Sequence, residues 1–308
     1  MTTAVLIPTF RRNAALMRAV RSVFAQSSLP AMIVIADNAP EGGARAVVER
    51  LTQEAPCPIL YRHVPEPGVS NARNAGIEAC GEADRIAMLD DDESASPGWL
   101  AALEAAADQH GAAVVFGPVS AKAHAAGAVR DAWLTRLYSR APALNDGPIA
   151  KPYGCGNSLI DRRRAPLPQP VFDPLANETG GEDDRLFSVL KSRGAVFAWA
   201  SAADVVEHVG PDRGAWTALA RRAFAAGQGP SQDAAERREW LALAFWMSVG
   251  AAQALVFSSL AAPARLLGAG ACAACLDRAI QGAGKLIWLE RLAPRFYGAA
   301  LAGKAGQG

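Results

Sequence analysis

Short apolar runs alternate with longer amphipathic stretches along the first 117 residues of the chain. In the longer stretches the apolar residues recur at about 3.6-residue spacing, which is typical of helices with one buried face. The predicted strands are residues 4–7, 32–36, 58–63, 85–89 and 113–116, and the predicted helices are 13–25, 44–54, 70–79 and 97–109. This alternation predicts the α/β class, with a mostly parallel sheet, right-handed crossovers and helices on its faces.

The pattern changes after residue 117. Residues 118–155 contain scattered prolines and glycines and are predicted to be irregular. Further elements are predicted at 156–161, 182–192, 196–200, 205–208 and 216–226. Beyond the Gly-Gln-Gly-Pro sequence at 227–230 the chain becomes alanine-rich and apolar. We therefore predict a domain over 1–230, divided into 1–117 and 118–230, and an apolar helical extension over 231–308.

Composition excludes several classes of protein. Lys and Arg number 31 against 30 Asp and Glu, so a net charge of +1 argues against a nucleic-acid partner held by bulk electrostatics. Hydrophobic residues make up 51% of the chain, which excludes global disorder. The first apolar run, residues 5–8, is too short for the core of a signal peptide, so we expect the site to face the cytoplasm.

Polar residues follow several of the predicted strands. In open α/β sheets, ligands bind beyond the carboxyl ends of the strands. The residues at these ends are Pro8, Thr9 and Arg11 after the first strand, Asp37 and Asn38 after the second, and Asp90, Asp91 and Asp92 after the fourth. Their shared position at one sheet edge indicates a ligand site.

The acidic run 90–93 is the sharpest of these signals. Asp90 and Asp92 are two residues apart at a strand-to-turn transition, so both carboxylates can reach one site. Mg²⁺ and Mn²⁺ prefer oxygen ligands and often combine one or two carboxylates with a substrate's phosphates. The run therefore predicts a metal–nucleotide site, and a solvated acidic turn before the next helix is the alternative.

Two weaker signals lie nearby. Arg73 is in a predicted helix whose N-terminus, near Ser70, suits an anion, although for Arg73 alone a surface salt bridge is the favoured interpretation. Asp37 and Asn38 could hydrogen-bond a base edge, or they could form an ordinary turn.

A second acidic cluster follows Gly180 and Gly181. Glu182 and Asp183 open a predicted helix, where negative charge is favoured by the helix dipole. The cluster is either a helix N-terminal cap or a general base at the mouth of the site.

In their order along the chain, these motifs resemble family 2 glycosyltransferases. The segments that carry the resemblance are 8–12, 37–38, 68–76, 89–93, 180–183 and His208. Finer details resemble the bacterial branch of the family that makes exopolysaccharides such as succinoglycan. These details are Asp37-Asn38, the run 90–93 before Trp99, Gly117-Pro118 and Gly156-Asn157. The resemblance covers roughly residues 3–228 and implies the nucleotide-sugar-binding A-type fold and an inverting reaction.

The resemblance also implies roles for individual residues. The residues implied to bind the nucleotide are Pro8, Thr9, Arg11, Asp37, Asn38, Arg73, Asp90 and Asp91. Asp92 would be the main metal ligand, with Asp90 and His208 beside it, and the metal would be Mg²⁺ or Mn²⁺. Asp183 would be the catalytic base, with Glu182 next to it. Because Glu93 extends the first run and Asp184 the second, the metal ligand or the base could be displaced by one position.

The implied reaction moves a sugar from a nucleotide-sugar donor, UDP-linked by expectation, to a glycan or lipid-linked acceptor in polysaccharide biosynthesis. The half 1–117 would bind the donor and 118–230 would supply the acceptor and catalytic side. A nucleotidyltransferase is the first alternative, but residues 8–12 contain no glycine, unlike the loop after the first strand in that class. A non-catalytic sugar-nucleotide-binding subunit is the second.

The chain from Trp240 to Ala264 carries no formal charge over 25 residues. About 20 predominantly apolar residues suffice to span a bilayer. Three interpretations stay open, namely a helical hairpin buried in the protein, a helix in the plane of the membrane and a spanning helix. The in-plane helix and the spanning helix would both associate residues 240–290 with the inner membrane, at its cytoplasmic face.

Overall fold

The computed structural model describes residues 1–122, 127–179 and 181–294, which form two compact units. The first unit comprises Met1–Ser120 and Arg140–Glu207. The second comprises the described residues within Ala121–Ser139 and His208–Arg295. The functional division at residue 230 stays a prediction.

The strands define the predicted sheet. They are β1 (Thr3–Thr9), β2 (Met32–Asp37), β3 (Ile59–His63), β4 (Arg85–Met88), β5 (Glu93–Ala95), β6 (Val114–Phe116), β7 (Val119–Lys122), β8 (Gly147–Ile149), β9 (Ser158–Asp161), β10 (Phe197–Trp199) and β11 (Val205–His208). The main sheet has the order β3-β2-β1-β4-β9-β6-β10-β8, and a smaller sheet has the order β5-β11-β7. In the main sheet, β1 to β4 are parallel, as are β6 and β10, whereas β9 and β8 run antiparallel to their neighbours. The predicted α/β class with a mostly parallel sheet is confirmed.

The helices cover both faces of this sheet or form the second unit. They are α1 (Asn13–Phe24), α2 (Arg45–Glu54), α3 (Val69–Ala79), α4 (Trp99–Gln109), α5 (Ala128–Tyr138), α6 (Ala176–Thr179), α7 (Glu182–Ser192), α8 (Trp216–Glu236), α9 (Trp240–Ala261) and α10 (Ala269–Leu286), with 3₁₀ turns at Pro263–Leu267 and Glu290–Leu292. Residues 295–308 of the predicted extension lie outside the described residues.

Strand β1 explains why the central strands are apolar on both sides. Val5 and Ile7 pack into the core that contains the buried face of α1, whereas Leu6 packs into the opposite core with α3. Successive side chains of a strand point to opposite faces, so a sheet covered twice needs continuous apolar strands. Gly76 of α3 lies so close to β1 that a Cβ there would be 2.3 Å from Leu6 Cδ1.

The prediction that 118–155 is irregular is wrong, because β7, α5 and β8 lie in this region. The prolines misled the prediction. Pro118 and Pro142 lie outside α5, and Pro148 is in β8, the edge strand of the sheet, where a missing N–H is tolerated.

The predicted end of a helix at residue 226 is also wrong, since α8 continues through Gly227 and Pro230 to Glu236. Gly227 serves close packing rather than a turn. A Cβ at Gly227 would lie 2.1 Å from the carbonyl oxygen of Gln281 in α10, and one at Gly284 would lie 2.2 Å from that of Phe224.

Candidate active site

The parallel strands β1, β2 and β4 end at one edge of the main sheet. Thr9 ends β1 opposite Asp37, the last residue of β2. The N–H of Leu89, just after β4, donates to the carbonyl of Leu6 in β1, and the acidic run 90–93 begins directly afterwards. The structure thus brings the predicted residues of three strand ends to one edge.

Asp91 and Asp92 are buried beneath an arginine. Thr9 Oγ1 donates to Asp91 Oδ2 at 2.8 Å. Arg12 Nη1 lies 3.2 Å from Asp91 Oδ1 and 3.0 Å from Asp92 Oδ2. Burial raises the pKa of Asp91 to about 6, although Arg12 opposes the shift. The run is therefore not a solvated turn.

Asp90 is the more accessible carboxylate of the run, with 35% of its side chain exposed. Its backbone N–H donates to Oε2 of the buried Glu93 at 3.0 Å. A Cβ at Gly156 would lie 2.6 Å from Asp90 Oδ2 and 2.9 Å from Glu93 Oε1, so only glycine fits between these carboxylates without a shift.

Arg73 joins the two acidic clusters. It is buried in α3, its Nη1 pairs with Glu182 Oε1, and its Nη2 lies 3.4 Å from Asp90 Oδ1. The guanidinium also lies over the Phe172 ring, 5.5 Å from its centroid. The predicted alternative of a surface salt bridge is wrong, because this pairing is internal.

The N-terminus of α3 is already capped by side chains. The N–H of Ser70 donates to Asn177 Oδ1 at 2.9 Å, and the N–H of Gly68 donates to Asn38 Oδ1 at 2.7 Å. The predicted anion site near Ser70 therefore has at least these two donors occupied by the protein itself.

Glu182 and Asp183 begin α7, after Gly181 in the left-handed conformation with φ 78°. Glu182 is buried, and burial raises its pKa against the opposing charge of Arg73. Asp183 is half-buried, with Oδ2 3.4 Å from the backbone nitrogen of Cys155 and Oδ1 accepting from the N–H of Asp184. Gly180 lies outside the described residues.

Asp37 and Asn38 are fully buried parts of the scaffold. Asp37 accepts from the N–H groups of Ala39 and Ala44 and from the Tyr61 hydroxyl. Asn38 Nδ2 donates to the carbonyls at positions 64 and 66. Both side chains therefore already hydrogen-bond within the protein, and their contact with a base edge stays a prediction.

The remaining predicted residues lie at varied positions. Pro8 is half-buried within β1. Arg11 pairs with Glu41 at 2.7 Å. Arg12, which was not among the predicted site residues, contacts the acidic run. His208 ends β11 and is the first residue of the second unit, and its role stays a prediction.

Arg140 is the second site residue that the sequence prediction missed. Its Nη2 lies 3.4 Å from Glu93 Oε1. Arg12 could have been found as the neighbour of Arg11 in the strand-end motif. Arg140 had no such signal, because its partner is 47 residues away and its region lacked a recognised pattern.

The donor set suits a divalent cation bound together with a substrate. The site contains more carboxylates than guanidinium groups, and the acidic run alone supplies four. No group of three or more His, Cys, Asp or Glu side chains that could hold a metal occurs within 1–122, 127–179 and 181–294. Asp90 and Asp92 offer oxygen ligands of the kind that Mg²⁺ or Mn²⁺ combines with phosphates and water.

Comparison with known families and curated proteins gives two matches. The model of glycosyl transferase family 2 matches residues 4–165. The succinoglycan biosynthesis protein ExoM of Rhizobium meliloti (strain 1021) is 35% identical over 223 residues, which are 72% of this chain and 71% of that protein.

Comparison with solved structures gives more distant matches. GalNAc-T7 with UDP, GalNAc and Mn²⁺ has a TM-score of 0.51 and 16% identity over 68% of this chain, and the match covers 44% of that chain. S. aureus TarS has a TM-score of 0.48 and 13% identity over 73% of this chain, and the match covers 40% of that chain. At 16% identity, the similarity to GalNAc-T7 shows the fold alone.

Proposed function

The chain belongs to glycosyl transferase family 2, and from that membership we propose that it transfers a sugar, with inversion, from a UDP-linked donor to an acceptor hydroxyl. The acceptor is a glycan or a lipid-linked saccharide in polysaccharide biosynthesis. The similarity to the succinoglycan biosynthesis protein of Rhizobium supports this class of pathway. The family match argues against the nucleotidyltransferase alternative.

The link between the two acidic clusters through Arg73 is the main support for the proposed function. Asp90 at the end of β4 and Glu182 at the start of α7 contact the same guanidinium. Asp183, the next residue of α7, is thereby held near the strand-end carboxylates. A donor bound at the strand ends would thus lie beside a candidate base.

In the proposed reaction Asp183 accepts the proton of the acceptor hydroxyl while that oxygen attacks the anomeric carbon. The bond from the anomeric carbon to the diphosphate oxygen breaks with its electron pair leaving on the nucleoside diphosphate. General-base assistance of this kind contributes roughly 10²–10⁴-fold. Glu182 forms an ion pair with Arg73. We therefore assign the role of base to the neighbouring Asp183, which is half-buried.

Asp92 and Asp90 would hold Mg²⁺ or Mn²⁺ together with the donor diphosphate. Such an ion, when bound, stabilises negative charge on the leaving diphosphate. Thr9, Asp90, Asp91 and Arg73 border the proposed nucleotide site. Asp37 and Asn38 shape it through the backbone segments that they hold.

A donor panel tests this function. We expect UDP-sugars, rather than GDP- or dTDP-sugars, to raise the melting temperature in the presence of Mn²⁺, and the protein to release UDP from the bound donor. Asp92→Ala should lose the Mn²⁺-dependent part of the shift. Binding without any release or transfer would indicate the non-catalytic subunit, and no shift with any donor would contradict the proposal.

The second unit supports an additional proposal about location. Helix α9 is the one helix among the described residues that is long and apolar enough to cross a membrane by length and composition. Only Leu243 and Gly250 of its 22 residues are buried. We propose that this helix associates with the cytoplasmic face of the inner membrane, where a lipid-linked acceptor would be available.

A further inference from the structure

Arg140 has no part in the reaction proposed above, yet its backbone is fixed on both sides. Its N–H donates to the carbonyl of Val119 at 2.7 Å, and its carbonyl accepts from the N–H of Val119 at 3.1 Å. Val119 is fully buried. The backbone of Arg140 is therefore held in a well-defined position at the edge of the site.

The Arg140 side chain faces a carboxylate that needs a partner. Glu93 is 1% exposed, and its Oε1 lies 3.4 Å from Arg140 Nη2. A buried carboxylate without a compensating charge or hydrogen bond is costly.

Glu93 in turn holds the backbone of a proposed metal ligand. Its Oε2 accepts the N–H of Asp90 at 3.0 Å. The three residues thus form a chain in which Arg140 holds one oxygen of Glu93 and the other oxygen holds the turn that carries Asp90.

Two glycines bring this chain close to the proposed base. A Cβ at Gly154 would lie 3.2 Å from Asp183 Oδ2 and 3.5 Å from Arg140 Nη1. A Cβ at Gly156 would lie 2.6 Å from Asp90 Oδ2. The segment 154–156 therefore runs past both acidic clusters at contact distance, with Arg140 next to the first glycine.

We propose that Arg140 and Glu93 form a positioning pair that fixes the Asp90 turn for binding of the metal and the donor diphosphate. Arg140 acts through Glu93 and not by touching substrate. Residues that orient metal ligands typically contribute 10–100-fold to metal affinity. The inference rests on the proposed function, since it assumes that Asp90 serves a metal-bound nucleotide.

A double-mutant cycle on the full chain tests the pair. Its variants are Arg140→Met, Glu93→Gln and the two combined, and its readouts are the Kd of UDP with Mn²⁺ by calorimetry and the melting temperature without ligand. We expect Arg140→Met to weaken UDP–Mn²⁺ binding at least about 10-fold, because Glu93 loses its partner. Adding Glu93→Gln should recover most of that loss, because a neutral amide needs no counter-charge and its oxygen can still accept from Asp90.

Arg21→Met is the matched control, since Arg21 forms an exposed ion pair with Glu54 at 2.9 Å. It should leave the Kd unchanged. A loss in Arg140→Met that the second substitution does not recover would overturn the proposal in favour of direct phosphate binding by Arg140. An unchanged Kd would overturn it in favour of a purely structural pair, even if the melting temperature falls. If the unmodified protein does not bind UDP with Mn²⁺, the proposed function itself fails.

Discussion

Arg73 determines how the two acidic clusters are arranged. Its guanidinium contacts Glu182 from α7 and Asp90 from the turn after β4, and the contact with Glu182 is shielded from water. Buried ion pairs are costly to break from one side, because the remaining charge is left without compensation. Arg73 thus links the proposed base region to the proposed metal region through a single side chain.

At the scale of residues, sequence order located the acidic clusters but not their partners. The acidic run 90–93 and the pair Glu182–Asp183 could be predicted because they follow a strand or open a helix. The partner of Arg73 is 109 residues away, and no local pattern encodes that distance. For the same reason, the sequence could not show that the Asp37 carboxylate accepts hydrogen bonds from Ala39, Ala44 and Tyr61.

At the scale of elements, the contact between α8 and α10 depends on glycines. Gly227 of α8 lies against the backbone of Gln281, and Gly284 of α10 lies against that of Phe224. Without side chains at these positions the two helix backbones approach closely. This explains how a glycine-containing sequence continues as a helix instead of ending it.

Replacement of Gly227 tests this packing. Gly227→Ala should lower the free energy of unfolding by about 1–3 kcal/mol, because the added methyl group would collide with backbone atoms. Gly229→Ala in the same helix is the control, since no atom lies within 4 Å of a Cβ there. That change should be neutral or stabilise by up to about 1 kcal/mol. Denaturant unfolding measures both, and equal stability of the two variants would contradict the close contact.

The fold was predictable where the hydrophobic period is clean. Helix α1 buries Leu16, Ala19, Val20 and Val23, which lie at helical spacing, and the sequence predicted it. Helix α5, which buries Trp133, Leu134 and Tyr138, was missed because the prolines and glycines scattered through 118–155 led to the prediction of an irregular region. Its partners lie elsewhere in the second unit, so tertiary packing rather than local pattern fixes it.

At the scale of the whole molecule, α9 presents an exposed face without charge. Leu241 is 90% exposed and Leu255 is 72% exposed. In the following 3₁₀ turn, Leu266 is also 90% exposed. Soluble monomers rarely expose contiguous apolar patches of more than a few hundred Å². This face is the physical basis for the proposed membrane association.

Substitution on this face tests the association. Leu241→Glu combined with Leu255→Glu should reduce co-sedimentation with anionic phospholipid vesicles about 100-fold, because each leucine that enters the bilayer contributes about 1.5 kcal/mol or more. Leu29→Glu, at an exposed leucine of the first unit, is the control and should bind as the unmodified protein does. Vesicle binding that survives the double substitution would exclude α9 as the contact.

The proposed base of this glycosyltransferase is Asp183, and single-turnover release of nucleoside diphosphate from the donor tests that role most directly. Asp183→Asn should lower the rate at least about 100-fold while the donor Kd stays nearly unchanged, because the amide cannot accept the proton. Asp184→Asn, at the exposed neighbouring carboxylate, should retain a near-normal rate. A near-normal rate in Asp183→Asn, or the loss appearing in Asp184→Asn instead, would contradict the assignment.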